Sequence, residues 1–127
     1  MNKKIIFTDK APAPIGPYSQ AILVNDTLYT SGQVAINPAN GELVLDSIEV
    51  ETEQVMQNLK ALLDAADMTF DNVIKATIFI MNMGDFARIN AVYGKYFKEE
   101  IAPARETVQV ATLPKNVNIE ISVIAVK

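Results

Sequence analysis

The hydrophobic patterning of the chain predicts an α+β fold: one sheet with two helices packed on one of its faces. Three observations carry this. Val55, Leu59, Leu62 and Ala66 recur at helical spacing and form one apolar stripe. Residues 73–81 and 118–126 alternate with a period of two, as strands do. Strand-like and helix-like segments follow one another in the order β-β-α-β-α-β-β, with a further N-terminal strand left open.

Each element has its own signal. Pro12, Pro14, Gly16 and Pro17 make residues 11–17 a loop. Residues 20–24 and 27–31 read as a hairpin turning at Asn25-Asp26. Ser31-Gly32-Gln33 interrupts its second strand, and the glycine suggests a bulge or a close approach of backbone. Residues 37–41 form another turn. The first helix is expected over 49–66, capped by Ser47 or Asp46, with Glu49, Glu51 and Glu53 at the positive end of its dipole.

In the strand over 73–81, Ile74, Ala76, Ile78 and Ile80 are expected on one face and Lys75, Thr77, Phe79 and Met81 on the other. The second helix is expected over 85–98, capped by Asp85 and stopped by Pro103. Strands over 107–111 and 118–126 complete the set. On the last strand Ile119, Ile121, Val123 and Ala125 should meet the helices. Asn118, Glu120, Ser122, Ile124 and Val126 then lie on the uncovered face with Phe79 and Met81. That face is apolar with isolated polar groups, as expected of a surface that packs against other copies of the chain.

Composition removes many chemistries. With 127 residues, half of them hydrophobic, the chain has the size of a single domain over 1–127 with a real core. It has no cysteine and no histidine, which excludes disulfides, thiolate nucleophiles, serine–histidine triads and the commonest metal ligands. No carboxylate cluster has the spacing of a calcium loop, so no metal is expected. A net charge of −4 without a basic run argues against nucleic acid and anionic membrane as partners. No stretch is long enough to span a membrane, and the start of the chain lacks the apolar core of a signal peptide, so a cytoplasmic location is expected.

The residues with most chemical content are Arg105, in Pro103-Ala104-Arg105-Glu106-Thr107, and Glu120, between Ile119 and Ile121. A guanidinium and a carboxylate on neighbouring strands could bind a small acid and handle a water. The plain alternatives are a solvated Arg105 or one paired with Glu106, and a Glu120 on the wet face of an edge strand.

Several segments, in order and at matching spacing, resemble the reactive intermediate deaminase family, also called the YjgF/YER057c/UK114 family. They are Ala13-Pro14-Ile15-Gly16-Pro17-Tyr18-Ser19-Gln20-Ala21, Thr30-Ser31-Gly32-Gln33, Val73-Ile74-Lys75-Ala76-Thr77-Ile78-Phe79, Ile89-Asn90-Ala91-Val92-Tyr93, Pro103-Ala104-Arg105 and Leu113-Pro114-Lys115 with Ile119-Glu120-Ile121. The resemblance covers nearly the whole chain. It implies a chorismate-mutase-like (bacillary type) α+β fold with a mostly antiparallel sheet, assembled as a homotrimer with active sites in the inter-subunit clefts. It implies hydrolysis of reactive enamines and imines, such as 2-aminoacrylate, 2-iminopropanoate and 2-iminobutanoate, to 2-keto acids and ammonia, without a cofactor. The partners implied are a small imino or keto acid and further copies of the chain.

By resemblance Arg105 binds the substrate carboxylate, and Glu120 orients or activates the hydrolytic water. Tyr18, Ser31 and Gly32 line the pocket; their alternative roles are a lid over the core (Tyr18) and a bulge (Ser31, Gly32). Asn90 lies near the site on a helix and could equally steady a neighbouring strand or a subunit contact. Many relatives carry Ser-Cys after the arginine where this chain has Glu106-Thr107. Thr107 is expected to contribute backbone hydrogen bonds, and thiol-dependent behaviour should be absent. Glu106 would weaken acidic substrates if it points inward and do nothing if it points outward. The other readings are a 2-keto-acid-binding regulatory trimer without turnover and a chaperone-like interaction protein.

Overall fold

The computed structural model describes residues 2–127. Its strands and α-helices run β1 (Lys3–Ile6), β2 (Ala21–Val24), β3 (Thr27–Thr30), α1 (Ile48–Ala65), β4 (Val73–Ile80), α2 (Phe86–Tyr93), β5 (Ala104–Gln109) and β6 (Ile119–Val126). The strands form a single mixed sheet in the order β1-β2-β3-β6-β4-β5. Every pairing is antiparallel except β4 with β5. A parallel pair needs a crossover, and α2 with its flanking turns supplies it. The N-terminal strand that patterning left open is present.

The β2–β3 hairpin turns where expected, with Asn25 in the left-handed region at φ 53. On α1, Ser47 caps the helix by accepting the Val50 N–H at 3.1 Å. Val55, Leu59 and Ala66 of the predicted stripe, joined by Met56 and Leu63, share one buried cluster with Ile119, Ile121, Val123 and Ala125 of β6, as the alternation of β6 predicts, and Leu62 is buried as well. Ile89 and Tyr93 of α2 join the same cluster, so both helices cover one face of the sheet.

The structure corrects four details. The β4–β6 register slips between Val73 and Lys75, so Val73 enters the core and Ile74, expected there, is 53 % exposed. The second helix is shorter than 85–98: it ends at Tyr93, where Gly94 favours a tighter turn, and 3₁₀ turns at Gly94–Tyr96 and Glu99–Ile101 follow. Asp85 makes no capping hydrogen bond; its carboxylate lies 3.5 Å from Arg88, while Asn82 accepts the Gly84 N–H at 2.8 Å. The strand expected over 107–111 begins at Ala104, because β4 supplies a parallel partner from Lys75 onward. Arg105 therefore stands in an edge strand and not in a loop.

Candidate functional site

Strand order decides where the two charged residues stand. Arg105 pairs with Ala76 of β4, and Ala76 pairs with Val123 of β6. Glu120 pairs with Phe79 of β4. Directly paired residues share a face, so Arg105 lies on the helix-covered face with Val123 and Glu120 on the open one. The two strands are not neighbours, as their chemistry suggested; β4 runs between them. Within one chain the candidate residues fall into two half-sites.

The first half-site is a cavity of about 420 Å³ lined by Tyr18, Ser31, Gly32, Lys115 and Glu120, with apolar walls from the loop after β1 and the segment after β3. A bulge builds it. Tyr29 pairs with Ile124 and Gln33 bridges to Ile121, so β3 and its continuation carry one residue more than β6 over this span. The extra residue falls at Ser31-Gly32. The Ser31 hydroxyl donates to the Ser19 carbonyl at 2.6 Å, and the Gln33 N–H donates to Ile121 O at 2.8 Å, which fixes both ends of the bulge.

Gly32 is required by close approach. A Cβ there would lie 2.6 Å from Glu120 Cδ and 2.8 Å from its Oε1. Its backbone is outside the left-handed region, so space and not strain sets the requirement. The Glu120 carboxyl is half-buried, and desolvation pushes its pKa above the usual carboxylate value. No ion pair neutralises it among the described residues. Tyr18 is 49 % exposed beside it, its hydroxyl accepting a long 3.4 Å contact from the Ile15 N–H.

The second half-site surrounds Arg105. Its guanidinium lies 5.0 Å from the ring centroid of Tyr93 and 5.5 Å from that of Phe86, both on α2. Its Nη1 donates to Asn90 Oδ1 at 2.6 Å. This contact ties Asn90 of α2 to Arg105 of β5. Glu106 faces the other way and pairs with Lys75 at 2.8 Å, so it neither neutralises Arg105 nor reaches its ligand side. No carboxylate lies within 4.0 Å of Arg105 among the described residues, which leaves an exposed, unpaired cation on an edge strand. Thr107 shares the face of Arg105, with its hydroxyl buried and unpartnered, as is that of Tyr93. Burial raises the Tyr93 pKa to about 12, with Arg105 pulling the other way.

Sequence reasoning missed the amides that hold the cavity walls. Gln20 is buried, accepts the Thr8 N–H at 2.8 Å, and donates to the carbonyls of Thr8, Ala11 and Pro12 at 3.0, 3.2 and 2.9 Å. Asn58 is buried on α1 and donates to Val34 O and Ile36 O at 3.1 and 3.0 Å. The signal for Asn58 was legible, since it lies three residues after Val55 on the apolar stripe, where a polar side chain must find partners. Glu51, also fully buried, accepts from the backbone and side-chain nitrogens of Asn118, each at 2.8 Å. It thereby anchors the start of β6, two residues before Glu120.

The α+β sheet thus carries a half-buried acid in a largely apolar cavity on one face and a guanidinium without a carboxylate partner on the other. The family profile described as endoribonuclease L-PSP matches residues 8–127. A Lactococcus lactis protein named as the regulator AldR is 59 % identical, with 96 % of each chain covered. A Bos taurus protein named 2-iminobutanoate/2-iminopropanoate deaminase is 48 % identical, covering 98 % of this chain and 90 % of its own. A Yersinia pestis structure, YyfA of the Rid protein family, superposes with a TM-score of 0.95 at 50 % identity, covering 98 % of this chain and 99 % of its own. The chain belongs to the YjgF/YER057c/UK114 (Rid) family.

Proposed function

We propose that the chain hydrolyses 2-imino acids, and the enamines that tautomerise to them, to 2-keto acids and ammonia. The observation that carries this reading is the Glu120 carboxyl, unpaired and half-buried against Gly32 in an apolar cavity. Glu120 takes a proton from a water, whose oxygen attacks the imine carbon. That proton passes to the nitrogen and gives a carbinolamine; the hydroxyl proton then moves through Glu120 to the amine as the C–N bond breaks, C=O forms, and ammonia leaves a 2-keto acid. Arg105 holds the substrate carboxylate through two parallel N–H donors. General acid–base catalysis supplies roughly 10²–10⁴-fold, about 3–5 kcal/mol of barrier, on a bond that water already hydrolyses. Positioning by Arg105 adds to it. This chemistry uses no cofactor.

Arg105 and Glu120 can meet on one substrate when they come from different copies. The reading therefore assembles the chain as a homotrimer with a chorismate-mutase-like (bacillary type) subunit and one site in each cleft. Exposed Ile5, Tyr29 and Val108 on the open face and the unpaired edge of β5 support association. The reading places the trimer in the cytoplasm; no described helix is long and apolar enough to cross a membrane. The name of the 59 % identical relative favours a second reading, a regulator that binds 2-keto acids without turnover. That reading needs Arg105 and not Glu120.

The test generates imino acids with an amino-acid oxidase and traps survivors with semicarbazide. Wild type should suppress the semicarbazone signal and Arg105→Ala should not, with the assembly preserved on a sizing column. No suppression by wild type across several imino acids would overturn the catalytic reading.

A further inference from the structure

The cavity holds one cation among its described lining residues, Lys115, and its backbone is unusual. Lys115 (φ 56, ψ 20) and Asn116 (φ 56) both occupy the left-handed region, which lysine rarely enters. The turn is fixed on both sides: Leu113 and Val117 are buried, the Asn116 N–H donates to Leu113 O at 3.1 Å, and the Val117 N–H donates to Pro114 O at 3.2 Å. This conformation sets Lys115 on the wall of the cavity that contains Glu120. Strain of this kind at a non-glycine residue persists where the surroundings impose it, and it concentrates at ligand sites. Five lysines and arginines are held in ion pairs with carboxylates or hydrogen-bonded to Asn90: Lys60, Lys75, Arg88, Lys98 and Arg105. Lys115, like Lys3, Lys4, Lys10, Lys95 and Lys127, has no carboxylate within 4.0 Å among the described residues, and of these it is the one that lines the cavity with Glu120.

Size points the same way. The six non-hydrogen atoms of 2-iminopropanoate fill less than roughly 180 Å³ even at the liquid-water share of about 30 Å³ each. The cavity offers about 420 Å³. A substrate with a longer, anionic side chain would occupy the remainder and meet the ammonium.

We propose that Lys115 is a specificity-determining residue, its ammonium taking the second carboxylate of a 2-imino dicarboxylate whose first carboxylate is held by the arginine of the other half-site. The inference rests on the deaminase reading above and names a substrate class for that site. Lysine suits the role because a flexible, strongly hydrated point charge tolerates side chains of different length.

The test compares 2-iminosuccinate, made by an aspartate-oxidising flavoenzyme, with 2-iminopropanoate made from alanine. Wild type, Lys115→Met and Lys115→Arg are assayed at low salt. Methionine keeps the length and apolar stem without the charge. It should lower kcat/KM for the dicarboxylate about tenfold or more, the order of a charged hydrogen bond, and leave the monocarboxylate within about twofold. Arginine should restore the dicarboxylate. Equal loss on both substrates, or no loss on the dicarboxylate, would overturn the proposal. If wild type hydrolyses neither substrate, the deaminase reading fails by itself. Titration calorimetry with oxaloacetate and pyruvate then decides the role of Lys115: tighter oxaloacetate binding lost in Lys115→Met sustains it, and unchanged binding overturns it.

Discussion

Gly32 shows how a missing atom shapes this site. Its backbone conformation is open to any residue, yet a single added carbon would press on the Glu120 carboxylate from 2.6 Å. Glutamate is flexible, so the clash would be relieved by moving the carboxylate and not by unfolding the bulge. Gly32→Ala should therefore leave the melting temperature nearly unchanged and lower kcat by about 10²-fold, the lower range of what a placed acid–base contributes. Thermal unfolding together with steady-state kinetics separates the two effects. The pH dependence has a defined sign. Desolvation raises the Glu120 pKa, so its base form is lost as pH falls through a value above the ordinary 4.5. The acid limb of kcat/KM in wild type should lie above that ordinary value. For stability, a raised carboxyl pKa disfavours the folded state once pH rises above the unfolded value, so this acid destabilises the neutral-pH fold that it serves.

Among the elements, the segments with strong periodicity were legible and the connections between them were not. The stripe of α1 and the alternation of β6 follow directly from residues that must be buried together. The place of β5 does not. Nothing in Arg105-Glu106-Thr107 says that this strand joins the far side of β4 in parallel, and that choice puts Arg105 on the face opposite Glu120. The slip at Ile74 was equally hidden, because one extra residue in a strand leaves the apolar composition unchanged. Family resemblance supplied the candidate residues, but only topology shows that Arg105 and Glu120 stand on opposite faces of the sheet. The cavity walls add another dependence, of loop on helix. Asn58 of α1 donates to the part-buried Val34 and Ile36 carbonyls; in Asn58→Ala the Val34 carbonyl keeps the Ile36 N–H as donor, and the Ile36 carbonyl loses its donor. An acceptor left without a donor costs about 1–3 kcal/mol, and a loss in that range should appear in urea unfolding. KM should rise in the same variant, because the wall held by those carbonyls lines the cavity.

At the scale of the molecule, the separation of the half-sites yields a prediction that no single-chain site could satisfy. Arg105 stands on an exposed edge strand on the helix-covered face; Glu120 stands in a cavity on the open face. If the active site joins Arg105 of one copy to Glu120 of another, Arg105→Ala and Glu120→Gln damage different contributors to the same cleft. Each variant alone should be inactive. Unfolded together in equal amounts and refolded, they form mixed assemblies. Some clefts then receive an intact arginine from the Glu120→Gln chain and an intact glutamate from the Arg105→Ala chain. With random assortment in a closed ring, each contributor is intact in about half of the draws, so about one quarter of the clefts should work. Activity near one quarter of wild type in the mixture, and none in either variant refolded alone, is the expected result. No recovery in mixed assemblies whose formation is verified by a size tag on one variant would show that the two residues never share a cleft. Arg105 would then serve an anion on the helix face, and Glu120 would have to work with the cation of its own cavity, Lys115.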